Sequence, residues 1–122
     1  MKSVLSFLVL LGLLSAHAEA QTPISIPDPG LKTAIENVLW VTDPTPTDML
    51  GLTSLEGQAC SITNLTGLEY AVNLQNLSLR FNQISDLQPL AGLHNLSSLS
   101  LNDNRVSDVS PLSGLASLYL LD

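Results

Sequence analysis

Leu74-Gln-Asn-Leu-Ser-Leu-Arg-Phe-Asn-Gln-Ile-Ser-Asp-Leu-Gln-Pro-Leu-Ala-Gly-Leu-His-Asn95 decides the architecture. Leu77 and Leu79 alternate with Ser78, a period of two that places a short strand here. The leucines point inward, and Asn76, Ser78 and Arg80 point outward. Asn82 ends the strand, where its amide can bond turn backbone and the neighbouring coil. Ile84 and Leu87 turn back to the core. Ser85 and Asp86 cap a following turn whose φ is set by Pro89. Leu90 and Leu93 fill the back of the coil, and Gly92 is available for a positive φ before the chain returns.

The next 22 residues repeat the pattern. Segments 74–95 and 96–117 are identical at 11 of 22 positions. The same step links Leu52, Leu74, Leu96 and Leu118, and also Leu55, Leu77, Leu99 and Leu121. A fixed period of this length means a solenoid, in which each coil covers its neighbour's apolar face. Asn104 repeats Asn82, so stacked coils form an asparagine ladder. Segment 52–73 is a degenerate first repeat: Gly57 replaces the second strand leucine, Cys60 the ladder asparagine, and Ala71 the last leucine.

The pattern LxxLxLxxN-x-I-x-D-L-x-P-L-x-G-L resembles the 22-residue leucine-rich repeat of bacterial internalin-like proteins, over residues 52–122. The resemblance implies an α/β fold: a leucine-rich-repeat solenoid with a short parallel sheet on the concave face and turns or 3₁₀ segments on the convex face. It also implies an N-terminal helical cap, and residues 21–51 can supply one. Asp28 is placed to N-cap a helix with Pro29 at its first position. Leu31, Ala34, Ile35, Val38 and Leu39 then share a face, which Trp40 extends. Thr42 to Pro46 breaks that helix, and Thr47-Asp48 starts a second turn. The expected units are a signal peptide (1–20), the cap (21–51), and repeats at 52–73, 74–95 and 96–117 with a partial one at 118–122.

Residues 1–20 carry the marks of a secretory leader. Lys2 precedes an apolar run from Val4 to Leu14, and Ala18-Glu19-Ala20 is a small-x-small cleavage site. The run is too short to span a bilayer comfortably. Cleavage near Ala20 would leave a secreted, periplasmic or cell-surface chain with no membrane insertion of its own.

Composition narrows the function. The chain has 122 residues, of which 27 are Leu, with 4 Lys+Arg against 11 Asp+Glu and a formal charge of -7. Nothing here could neutralise a run of phosphates, so nucleic acid is excluded as a partner. With 45% hydrophobic and 12% charged residues, the chain is too apolar to be disordered. Cys60 is the lone cysteine, which excludes an internal disulfide or a multi-cysteine zinc site; its ladder position should bury it. His94 lies in a turn with no orienting partner, so no catalytic residues are assigned. Asn102-Asp103-Asn104 with Asp108 lacks the glycine and distal glutamate of a calcium loop, so no metal and no cofactor are expected.

What remains is a surface. Outward strand positions line the concave arc, and the binding candidates are Asn76, Ser78, Arg80, Phe81, Ser98, Ser100, Asn102 and Asp103. Arginine and large aromatics are enriched where interfaces concentrate their energy, which singles out Arg80 and Phe81. The expected function is non-catalytic binding of a protein, or of a cell-surface glycan. The alternative is that these repeats target a longer secreted enzyme, adhesin or receptor. The final coil, without a polar cap, is expected to expose apolar surface, through truncation or for end-to-end self-association.

Overall fold

The computed structural model describes residues 22–122, so the expected leader lies outside the described residues. Helix α1 spans Pro29–Leu39 and helix α2 Pro46–Met49. Four short strands follow: β1 (Ser54–Glu56), β2 (Asn76–Ser78), β3 (Ser98–Ser100) and β4 (Leu120–Leu121). They form one parallel sheet in sequence order. Ser54 pairs with Asn76, Asn76 with Ser98 and Ser98 with Leu120, so the register is the 22-residue repeat itself. Parallel strands need a crossover, and each coil supplies one through a single 3₁₀ turn: Leu68–Tyr70, Gln88–Leu90 or Ser110–Leu112. The fold is a leucine-rich-repeat solenoid with short helices at its N-terminal end.

The core is a stack of leucine rungs. Leu55, Leu77 and Leu99 are buried in the strands; Ile62 and Ile84, Leu65 and Leu87, and Leu68, Leu90 and Leu112 are buried behind them. The ladder expected of Asn82 is present. Its Oδ1 accepts from the Cys60 N–H at 3.0 Å and the Ile62 N–H at 2.9 Å. Its Nδ2 donates to the carbonyls of Gly57 at 2.7 Å and Leu79 at 2.9 Å. Asn104 repeats this one coil later, donating to Leu79 at 2.8 Å and accepting from the Ile84 N–H at 3.0 Å. One side chain thus satisfies backbone groups of two coils that would otherwise be buried without partners. Asn73 and Asn95 make a second, unforeseen link, donating to the Leu50 carbonyl at the end of α2 at 2.9 Å and to the Val72 carbonyl of the preceding coil at 3.0 Å.

Asp28 joins the helical end to the repeats. Its Oδ1 caps α1 through the Leu31 N–H at 3.1 Å. Its Oδ2 accepts from the Thr63 N–H at 2.8 Å, the Asn64 N–H at 3.1 Å and the Thr63 hydroxyl at 3.2 Å. Burial pushes the Asp28 carboxyl up, but these hydrogen bonds outweigh it and hold the pKa below the ordinary aspartate value. A methyl group on Gly30 would collide with the Cys60 carbonyl, so glycine is what lets α1 sit on the first coil. Thr45 caps α2 in a reciprocal pair with Asp48: Asp48 N–H to Thr45 Oγ1 at 3.2 Å, and Thr45 N–H to Asp48 Oδ2 at 2.9 Å.

Four local expectations are corrected. Leu31 and Ile35 bury the inner face of α1, but Val38 is exposed. Trp40 does not extend that face; it is 92% exposed. It forms the helix C-cap at φ 58°, where the left-handed backbone swings its side chain off the helical spiral. Cys60 is half-buried rather than buried, for no coil precedes it and the start of α1 approaches it at Gly30 instead. Gly92 does not adopt a positive φ; among the described glycines only Gly67 does, at φ 110°. The residue before Gly92, Ala91, stays right-handed after its 3₁₀ turn, as Ser113 does before Gly114, so no left-handed step is required there.

Candidate functional site

The stacked strands place their outward residues in rows. Ser54, Asn76 and Ser98 form one, and Glu56, Ser78 and Ser100 the next. Pairing continues past the strands, with the Ala59 N–H on the Arg80 carbonyl at 3.0 Å and the Phe81 N–H on the Asn102 carbonyl at 2.9 Å. A third row is therefore Gln58, Arg80 and Asn102. The first two rows line a shallow concave depression of about 170 Å³. Its walls are hydroxyls, an amide and the Glu56 carboxylate, and its floor is Leu55 and Leu77.

The structure thus brings Asn76, Ser78, Ser98 and Ser100 together in the depression and sets Arg80 and Asn102 beyond its rim. Asn102 is already engaged, accepting from the Ser100 hydroxyl at 3.1 Å and donating to Asp122 at 2.9 Å. Arg80 is half-buried, and its guanidinium carbon lies 5.4 Å from the Phe81 ring centroid. Phe81 itself is 53% exposed. Asp103 lies exposed at the corresponding turn of the next coil.

The turn after each strand is left-handed in every complete coil, with φ of 53° at Ala59, 57° at Phe81 and 60° at Asp103. In the second and third coils the ladder asparagine follows this residue directly, at Asn82 and Asn104. Aspartate tolerates that conformation, whereas a bulky phenylalanine is an unusual occupant.

A second cleft, of about 400 Å³, opens between α1 and β1. Gly30, Thr33, Ala34, Val38, Glu56 and Cys60 line it. Sequence reasoning missed it, because only the seating of α1 creates it. The Cys60 thiol donates to the Gln58 carbonyl at 3.2 Å. His94 is exposed in its turn, as expected. Asp108 accepts from the Ser110 N–H at 2.9 Å, a contact that lowers its pKa. It serves a turn, as Asp86 does for the Gln88 N–H at 2.9 Å. Among the described residues no group of three or more His, Cys, Asp or Glu is placed to hold a metal ion. No helix among them is long and apolar enough to cross a membrane.

Parallel one-strand coils, an asparagine ladder and a polar concave face define a leucine-rich-repeat solenoid, a class that generally mediates protein binding. A family model described as leucine rich repeats (2 copies) matches residues 72–120. The solved internalin inlF of Listeria monocytogenes is 32% identical with a TM-score of 0.75, over 79% of this chain and 29% of that one. Internalin C2 of the same organism is 32% identical with a TM-score of 0.60, over 78% of this chain and 54% of that one. A Clostridium perfringens ZmpB structure containing CBM51-2 and INT domains is 41% identical with a TM-score of 0.61, over 66% of this chain and 17% of that one. A search of curated proteins found no match. The chain belongs to the internalin-like leucine-rich-repeat proteins. It spans less than two thirds of the length of each solved relative above.

Proposed function

We propose that this chain is an exported, non-catalytic protein-binding module whose ligand lies on the concave face. The observation that carries this reading is the arrangement of Asn76, Ser78, Ser98 and Ser100. They are held in fixed rows by a parallel sheet whose strands pair with one another and whose adjoining turns are bonded by the ladder. A preformed polar surface loses little ordering entropy on binding. Arg80 and Phe81 would add the contacts with most energy, and Asn102 and Asp103 the far rim. Non-catalytic function is favoured because the cleft and depression bring together no nucleophile, base and orienting group. Export is favoured by the leader-like features of Lys2 to Ala20. Cell-surface glycan is the competing ligand for the same face.

A second reading is the targeting region of a longer secreted enzyme, adhesin or receptor. The small share of each solved relative that this chain covers favours it. Self-association through the last coil is favoured by Val109 and Leu121, apolar side chains 56% and 51% exposed there.

The test is to apply the labelled protein to parallel arrays of extracellular protein domains and of glycans. A protein hit abolished by Ser78→Arg on the concave face, and kept by Ser85→Arg on the convex side, supports the proposal. A hit that survives Ser78→Arg, or hits on glycans alone, overturns it. Light scattering of the same samples reads self-association, which Leu121→Glu would abolish.

A further inference from the structure

Among the described residues, every ion pair belongs to Lys32, whose ammonium is held by Asp43 and Glu36 on the cap. Arg80 has none. Its Nε is sealed from solvent and has no hydrogen-bond partner. Its guanidinium carbon lies over the Phe81 ring, 5.4 Å from the ring centroid. Phe81 accepts a left-handed backbone and leaves half of itself in water, so Arg80 is what its ring gains by being there. The result is a guanidinium within cation–π reach of an aromatic ring and closed at Nε. Its Nη edge has no acceptor from the protein, in the row between Gln58 and Asn102. A planar fork in that state matches a carboxylate, which accepts two parallel N–H bonds.

The charges around it narrow the ligand. Glu56 lies on β1 and Asp122 follows β4, so the face runs acidic, basic, acidic across its strands. Strands stand about 4.8 Å apart and residues two apart on a strand about 7 Å, so Arg80 lies roughly 8 Å from Glu56 and roughly 12 Å from Asp122, and the two acids, three strands apart, roughly 14 Å from each other. A ligand matching them needs one acid flanked by bases at that spacing. Alternate side chains of an extended polypeptide, about 7 Å apart, supply both signs. An acidic glycan supplies one sign only, and a chain of formal charge -7 repels it.

We infer that Arg80, beside Phe81, is a carboxylate receptor, and that the concave face takes a polypeptide segment presenting one acidic side chain between basic ones. This rests on the concave-face reading and specifies its ligand. The sequence holds two arginines, Arg80 and Arg105, so their Nε–H signals can be followed separately in ¹⁵N-labelled protein. The probes are acetylated Lys-Gly-Glu-Gly-Lys amide, its Gln counterpart, and sialyllactose. The Glu peptide should move the Arg80 signal saturably, at a dissociation constant about tenfold below that of the Gln peptide. Arg105 should stay still.

Arg80→Lys keeps the charge but loses the fork, and should abolish the preference between the two peptides. Phe81→Ala should weaken the Glu peptide alone, with an otherwise superimposable amide spectrum. Equal affinity for both peptides overturns the inference. If the amides of Asn76, Ser78, Ser98 and Ser100 still respond in that case, the concave-face reading survives its failure. Equal movement of both arginines reduces the effect to charge screening and overturns the inference. Sialyllactose matching the Glu peptide overturns the polypeptide assignment.

Discussion

Coils 52–73 and 74–95 trace the same path, yet only the second has the full repeat sequence. Each difference lies where the first coil meets something that is not a coil. Gly57 stands at the place of Leu79, and a methyl group there would sit 3.1 Å from Leu79, 3.2 Å from Ile62 and 3.9 Å from Ala34 of α1. The volume of the missing leucine is taken by its neighbours and the helix. Gly67 stands at the place of Pro89, and its added methyl would meet Ile26 at 2.8 Å, because the segment leading into α1 runs against it. Cys60 stands at the place of Asn82. With no coil before it, a second amide donor would have no carbonyl to reach, and a thiol bonding Gln58 suffices. The repeat is thus a solution to packing against copies of itself, and it departs where the neighbour changes.

Five substitutions sharpen or break this comparison. The largest effect is expected from Gly30→Val, which drives a side chain into the Cys60 carbonyl. A loss on the order of 3 kcal/mol or more should appear in urea unfolding. A wild-type midpoint would mean that α1 can lift off the first coil at no cost. Next comes Asn82→Ala, which strands the Cys60 and Ile62 N–H groups and the Gly57 carbonyl. Each buried orphan costs about 1–3 kcal/mol, so a total of roughly 3 kcal/mol is expected. Cys60→Ala, at the equivalent position, should cost less than about 1 kcal/mol. Equal losses at the two positions would break the account of the ladder.

Asp28→Asn ranks third, at about 1–2 kcal/mol near neutral pH, since a neutral amide cannot accept as the carboxylate does. The folded-state pKa of Asp28 is depressed. Its contribution is therefore complete above the unfolded value of about 3.9 and is lost as pH falls through the lower folded value. Thermal melts from pH 7 downward should show the wild type approaching the variant in acid. A gap that stays constant with pH would remove the charge from the explanation. Smallest is Gly92→Ala. A methyl group there meets nothing within 4 Å and φ is not positive, so stability should stay within about 0.5 kcal/mol.

The repeating part was legible because one coil's environment is the next coil. Leu55 over Leu77 over Leu99, and the Asn82 and Asn104 ladder, follow from a period of 22 read directly from the chain. The concave rows of Asn76, Ser78, Ser98 and Ser100 were legible for the same reason, since outward strand positions inherit the register. The N-terminal end was only partly so. Capping by Asp28 follows from its place before Pro29, but its hold on Thr63 and Asn64 depends on how the helix docks. Helical periodicity put Val38 and Trp40 on the buried face, yet both are exposed, and the left-handed C-cap turns Trp40 off the helical spiral. The isolation of Arg80, with a sealed Nε and an aromatic partner, is likewise a matter of distances that no spacing encodes.

By itself, then, the sequence determined what is periodic: the solenoid, its parallel register, the leucine rungs, the ladder and the polar character of the concave face. Periodic burial repeats the same physical demand every 22 residues, so the demand is visible as a pattern. Only the tertiary structure decided what happens once. The seat of α1 on Gly30, the bridging role of Asp28, the half-burial of Cys60 and the setting of Arg80 each depend on surfaces far apart in the chain. Such a contact is used a single time and leaves no repeat to read.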